Sequence, residues 1–333
     1  MQRTRIAGTG TYLPARRITN DDLVTQFGLD TNDQWIRERT GIGARRMAAP
    51  GEATSDLAAA AGRAALQSAG IAPADLDLIV VGTITPDMPF PACAAFVQAK
   101  LGATRAAAFD VSAACAGSLF GLAIADSMIK SGAARNALVI GAELLTRIVD
   151  WKDRSTCVLF GDAAGAMVLL PEARPERGIL STHLHTDGTQ TGMLCIPGGG
   201  SLRPFDQRVL DEKAMLVTMK GSEVFKFAVR ALEAVAREAL EANGLQPSDI
   251  DHVIAHQANL RILDAVMKRL SIPLAKCHLN IEEVGNTSSA SVPLTLDQAN
   301  RAGALRDGQL VLMMAIGGGM SWGSAIVRWT ELT

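Results

Sequence analysis

The chain has one tyrosine, aromatic residues make up only 4% of it, and no Cys-x-x-Cys pair or bilayer-length apolar run is present. Each shortage excludes something. With so few rings the core must be aliphatic, and a 48% hydrophobic content over 333 residues is enough to bury a large one, in two domain-sized units or a fused pair. The five cysteines (Cys93, Cys115, Cys157, Cys195 and Cys277) are odd in number and widely spaced, against a disulfide framework or a zinc site and in favour of a reducing cytoplasm. The apolar stretch between Asp110 and Asp126 is shorter than the roughly 20 residues a membrane span needs, and the first residues lack a signal-peptide core. A net charge of −2 gives no general attraction to nucleic acid or anionic lipid. Gly8-Thr9-Gly10 and Gly161-Asp162-Ala163-Ala164-Gly165 fall short of the dinucleotide and P-loop patterns, and His183 with His185 has no third metal ligand nearby. No metal, nucleotide or redox cofactor is expected.

What is present is a duplication. Ile71-Ala72-Pro73-Ala74-Asp75-Leu76-Asp77-Leu78-Ile79-Val80 returns in pattern as Leu245-Gln246-Pro247-Ser248-Asp249-Ile250-Asp251-His252-Val253-Ile254, offset by 174 from Pro73 to Pro247. Val111 to Ser118 matches Val284 to Ser291 at an offset of 173, and Asn136 to Ile140 matches Gln309 to Met313 at the same offset. Alternating helical and strand patterns predict two α/β halves, 1–173 and 174–333, related by a pseudo-twofold axis. The loops 111–118 and 284–291 should then face each other across the join.

Cys115 follows a predicted strand and opens an apolar helix, a position where the helix dipole favours a thiolate. His256 ends the strand 251–255, where α/β proteins usually place function, and Asn286 lies in the loop facing Cys115. Taken singly, each has an ordinary explanation: a core cysteine, a satisfied histidine, a turn-forming asparagine. Converging on one seam, they read as a nucleophile with two hydrogen-bonding partners. The Gly317-Gly318-Gly319 run after an apolar strand offers unobstructed N–H groups for an oxyanion hole.

Asp110 to Gly117, His256-Gln257-Ala258-Asn259, Gly285 to Ser291, Gly317 to Gly319, Asp33 to Ile42 and Phe160 to Ala166 together resemble the β-ketoacyl-acyl-carrier-protein synthase III family along essentially the whole chain. The resemblance implies a five-layered αβαβα thiolase fold, a homodimer and a Cys115-His256-Asn286 triad, with Cys115 and Gly318 as oxyanion donors. It implies an acyltransferase of fatty acid biosynthesis. An acyl-CoA acylates Cys115; malonyl-acyl-carrier-protein is then decarboxylated and condensed, giving 3-ketoacyl-acyl-carrier-protein, carbon dioxide and CoA, with no cofactor.

By the same resemblance Trp35 and Arg154, with Arg39 and Thr40 nearby, hold the adenine end of CoA. Gly221, Phe225 and Asn259 line the pantetheine tunnel. Phe90 reaches across the dimer to bound the partner's acyl pocket, and Ile316 and Met320 stand where the family often has Phe, which leaves the primer open. Arg261, Lys268 and Arg269 on one helical face, with Lys226, suit an acidic acyl carrier protein. Thiolases need a second cysteine near Gly319-Met320-Ser321, and elongating ketosynthases a second histidine at Asn286; both are absent here. A starter-unit enzyme of a secondary, polyketide-like pathway, a cysteine hydrolase and a non-catalytic carrier-binding module are the other readings.

Overall fold

The computed structural model describes residues 3–332. Nine strands form two sheets: β1 (Arg3–Tyr12), β2 (Leu78–Gly82), β3 (Ala107–Val111), β4 (Ala137–Glu143) and β5 (Ala163–Glu172) in the first, and β6 (Gly178–Thr186), β7 (His252–Ala255), β8 (Leu310–Gly317) and β9 (Ser321–Arg328) in the second. The first runs β1-β5-β4-β2-β3 and the second β6-β9-β8-β7, the same order in space. An isolated parallel bridge from Val253 to Cys277 stands where the second copy of β3 would be.

Six longer helices complete the layers: α1 (Thr54–Ala69), α2 (Cys93–Leu101), α3 (Gly117–Lys130), α4 (Gly221–Ala242), α5 (Leu260–Leu270) and α6 (Ser291–Arg301). Helices α1 and α2 cover the outer face of the first sheet, α4 lies on the outer face of the second with α5 packed against it, and α3 with α6 fills the space between the sheets. This is the five-layered αβαβα thiolase arrangement. The sequence explains the division of labour. Helix α4 buries Ala228, Val229, Leu232, Val235, Ala236 and Ala239, one stripe at helical spacing, whereas α3 buries residues on most of its circumference. Strand β4 is buried at every position, as a central strand covered on both faces must be.

Glycine sets how closely the layers approach. A Cβ at Gly141 would lie 2.1 Å from the Ser289 carbonyl oxygen, and one at Gly165 2.5 Å from the Leu294 nitrogen. A side chain at Gly141 would push the 288–291 turn off the first sheet, and one at Gly165 would push off the start of α6.

The facing loops come together as expected, but their register is one residue different. Ala114 and Ser288 share the left-handed conformation, with φ of 46° and 48°, and α3 and α6 begin at Gly117 and Ser291. The offset here is therefore 174, and Cys115 pairs with Ser289 instead of Ser288. Matching Val111 to Val284 misled because Val111 ends a strand and Val284 ends a four-residue helix, Ile281–Val284.

Candidate active site

After β3 the chain makes a single 3-10 turn, Ala114–Ala116, before α3 begins. The turn exposes Cys115 to an apolar cavity of about 330 Å³ whose wall also includes Ser288, Gly318 and Gly319. Ile84, Leu145, Leu194, Ile196 and Val217 supply much of its apolar surface. A Cβ at Gly317 would sit 2.4 Å from the Cys115 nitrogen, so glycine is needed where β8 passes the nucleophile.

Burial pushes the Cys115 thiol up to about 12; nearby Glu143 adds to this, while the Ser288 hydroxyl and the residue's own N–H oppose it. The expected thiolate is thus corrected to a neutral thiol. The partial charge of a helix end does not offset the loss of hydration in so enclosed a place.

His256 follows β7 and is fixed by its N–H, which donates to the Met314 carbonyl at 2.8 Å. Its side chain is buried with Nδ1 unpartnered, and that burial brings the imidazole down to about 4, neutral at pH 7. Asn286 is buried as well, its N–H donating to Leu159 O at 2.8 Å and its carbonyl accepting from Gly161 N at 3.0 Å. The side-chain oxygen of Asn286 accepts from the Ser288 N–H at 2.9 Å, which leaves the carboxamide NH2 as a donor.

Gln257 stitches these loops together. Its N–H donates to Ser291 Oγ at 3.0 Å, its Nε2 to His278 O and Thr295 Oγ1, and its Oε1 accepts from Asn280 and Ile281. Cys115, Ser288 and Gly318 therefore share one cavity wall, and the loops bearing His256 and Asn286 are fastened to the turn that holds Ser288.

The Arg39 and Arg154 guanidiniums lie 5.5 and 5.3 Å from the Trp35 ring centre, an aromatic–cation cluster near the start of the chain. Phe225 is half-buried, with Arg261 6.0 Å over its ring, and Gly221 is exposed at the head of α4. The other expected positions have the following surroundings. Thr40 spends its hydroxyl on Ile36 O (2.6 Å) and the Ile42 N–H (3.0 Å), inside its own helix end. Asn259 caps α5 through Arg261 N at 2.8 Å and donates one amide N–H to Arg39 O at 2.9 Å, which leaves its second N–H free among the described residues. Ile316 is buried in the second sheet's core with Met314 and Met320. Lys268 pairs with Asp264 at 2.6 Å and Arg269 with Glu233 at 2.9 Å, and among the described residues Lys226 and Arg261 have no acidic partner. Phe90 is 85% exposed and does not line this chain's cavity.

Sequence reasoning passed over Glu143, which is wholly buried at the end of β4 and accepts from Ser288 Oγ at 3.0 Å. A lone acid closing an apolar strand, Ala137-Leu138-Val139-Ile140-Gly141-Ala142-Glu143, was the signal available.

Comparison with known proteins agrees with this geometry. Residues 109–188 match 3-oxoacyl-[acyl-carrier-protein (ACP)] synthase III, and residues 240–329 match its C-terminal region. The β-ketoacyl-[acyl-carrier-protein] synthase III of Xanthomonas campestris pv. campestris is 52% identical, covering 98% of both chains. The crystal structure of 3-oxoacyl-[acyl-carrier-protein] synthase III from Aquifex aeolicus VF5 superposes with a TM-score of 0.90 at 45% identity, covering 98% of this chain and 100% of that one. The Pseudomonas aeruginosa PAO1 enzyme gives 0.91 at 39% identity, covering 99% of each. On this sequence identity, coverage and shared fold, the chain belongs to the β-ketoacyl-acyl-carrier-protein synthase III family.

Proposed function

We propose that the chain initiates fatty acid biosynthesis, joining an acyl-CoA primer to malonyl-acyl-carrier-protein with loss of carbon dioxide. The observation that carries this reading is the Cys115 sulfur opening onto an apolar cavity beside Ser288 and the Gly318 backbone. In it the primer's acyl chain lies along Leu145, Ile196 and Val217 while its carbonyl meets the N–H groups of Cys115 and Gly318. Acylation frees CoA. The neutral His256 ring and the carboxamide NH2 of Asn286 then hold the thioester oxygen of the malonyl group as it becomes an enolate, which attacks the acyl-Cys115 carbonyl.

Trp35, Arg39 and Arg154 are assigned to the nucleotide end of CoA, and Lys226 with Arg261 to the acidic carrier. The active form is a cytoplasmic homodimer, consistent with exposed Phe90 and five unpaired cysteines. No group beyond the two substrates is required.

Incubation with acyl-CoA primers from acetyl to octanoyl, followed by mass spectrometry, tests this. An adduct on Cys115 that malonyl-carrier converts into 3-ketoacyl-carrier is the expected result; release of free acid without condensation would overturn it.

A further inference from the structure

Acylating a neutral, buried thiol requires a place for its proton, and the cavity contains one that the triad does not use. Ser288 lines the cavity wall together with Cys115, and its Oγ donates to Glu143 Oε1 at 3.0 Å. The other carboxylate oxygen, Oε2, accepts from Thr85 Oγ1 at 2.6 Å, Thr83 Oγ1 at 3.2 Å and the Ile84 N–H at 3.2 Å. Thr85 Oγ1 also accepts from Leu144 N and Thr83 Oγ1 from Thr85 N, which leaves each hydroxyl proton for the carboxylate. Among the described residues, Oε2 accepts from three donors and Oε1 from Ser288 alone.

Resting on the condensing reading above, we propose that Glu143, acting through Ser288, accepts the Cys115 thiol proton during acylation. As sulfur attacks the acyl-CoA carbonyl, the S–H bond breaks and its proton goes to Ser288 Oγ. The Ser288 proton passes to Glu143 Oε1 in the same step. The sulfur keeps the electron pair that forms the new thioester, the CoA sulfur leaves with the pair from the broken C–S bond, and the Glu143 proton returns to it by the same path. Glu143 is a positioning residue here, since it acts through Ser288 and does not line the cavity itself. Burial raises the Glu143 carboxyl to about 7, where it exchanges a proton readily at neutral pH. Among the described residues, Cys115 is the titratable group facing it; its hydrogen-bond partners carry no charge.

Single-turnover acylation with the same set of primers separates this role from support of the fold. In Glu143→Gln the acylation rate constant should fall by about 100-fold or more and lose its ionisation near neutrality, while malonyl-carrier decarboxylation stays within about threefold. Glu143→Asp should recover part of the loss. Ser288→Ala should reproduce the Gln variant, and its backbone is safe because Ala114 holds the same left-handed conformation in the duplicated turn. Acylation of Glu143→Gln at the wild-type rate and pH profile would overturn the proposal, as would parallel loss of both half-reactions. Failure of the wild type to acylate would count instead against the condensing function.

Discussion

A sulfur at a helix head and a carboxylate at a strand end both sit where water is scarce, and in both burial outweighs the local dipoles. For Cys115, held near 12, the thiolate fraction should climb about tenfold per pH unit. Alkylation by iodoacetamide should therefore accelerate across pH 7–9 without levelling; a plateau below pH 8 would mean a thiolate at rest. For Glu143, raised from 4.5 to about 7, the folded state retains a proton that the unfolded chain has released between those values. Wild type therefore loses stability as pH rises from 4.5 through 7, by about 3 kcal/mol. Urea unfolding of wild type against Glu143→Gln should show that change in their difference from pH 4.5 to 8. The depressed His256 acts on both proteins alike and cancels. A difference that does not vary with pH would show that Glu143 is ionised alike in both states.

Helix α5 illustrates how neighbours edit a pattern that one element displays alone. Its spacing places three cations on one side, yet Asp264 within the helix and Glu233 on α4 neutralise two of them. Reversing Lys226 and Arg261 to Glu should raise KM for malonyl-carrier several-fold and leave Cys115 acylation by acyl-CoA intact. Lys268→Glu should do much less, because it removes a charge already compensated. Steady-state kinetics with carrier varied at fixed primer reads both; equal effects of the two changes would count against this assignment. The caps tell the same story. Thr40 and Asn259 have the right residue types for ligand contacts, and their polar atoms also end one helix and start another.

Over the whole molecule, two copies of one topology bury α3 and α6 between them, and a single core cluster runs from Ile6 and Leu119 to Val292 and Trp329 across both halves. Outside that core, Phe90 and Met88 remain exposed together. Phe90→Asp should shift the protein from the proposed dimer to monomer in sedimentation equilibrium with the far-ultraviolet circular dichroism unchanged; a dimer left undisturbed would remove Phe90 from the interface, and a monomeric wild type would remove the proposed dimer. The duplicated layers, the strand ends bearing His256 and Gly317 and the loop bearing Asn286 were all legible in the amino-acid order. Repeated Pro-x-Asp turns, apolar strands and glycine runs are local features, and local sterics and periodicity suffice to specify them. What only the tertiary structure decided were the thiol's protonation state, the one-residue register between Cys115 and Ser288, the pairing of α5's cations and the place of Glu143. Each depends on which atoms from distant segments meet and how much water they exclude, and desolvation and long-range hydrogen bonding have no signature in the spacing of residues along a chain.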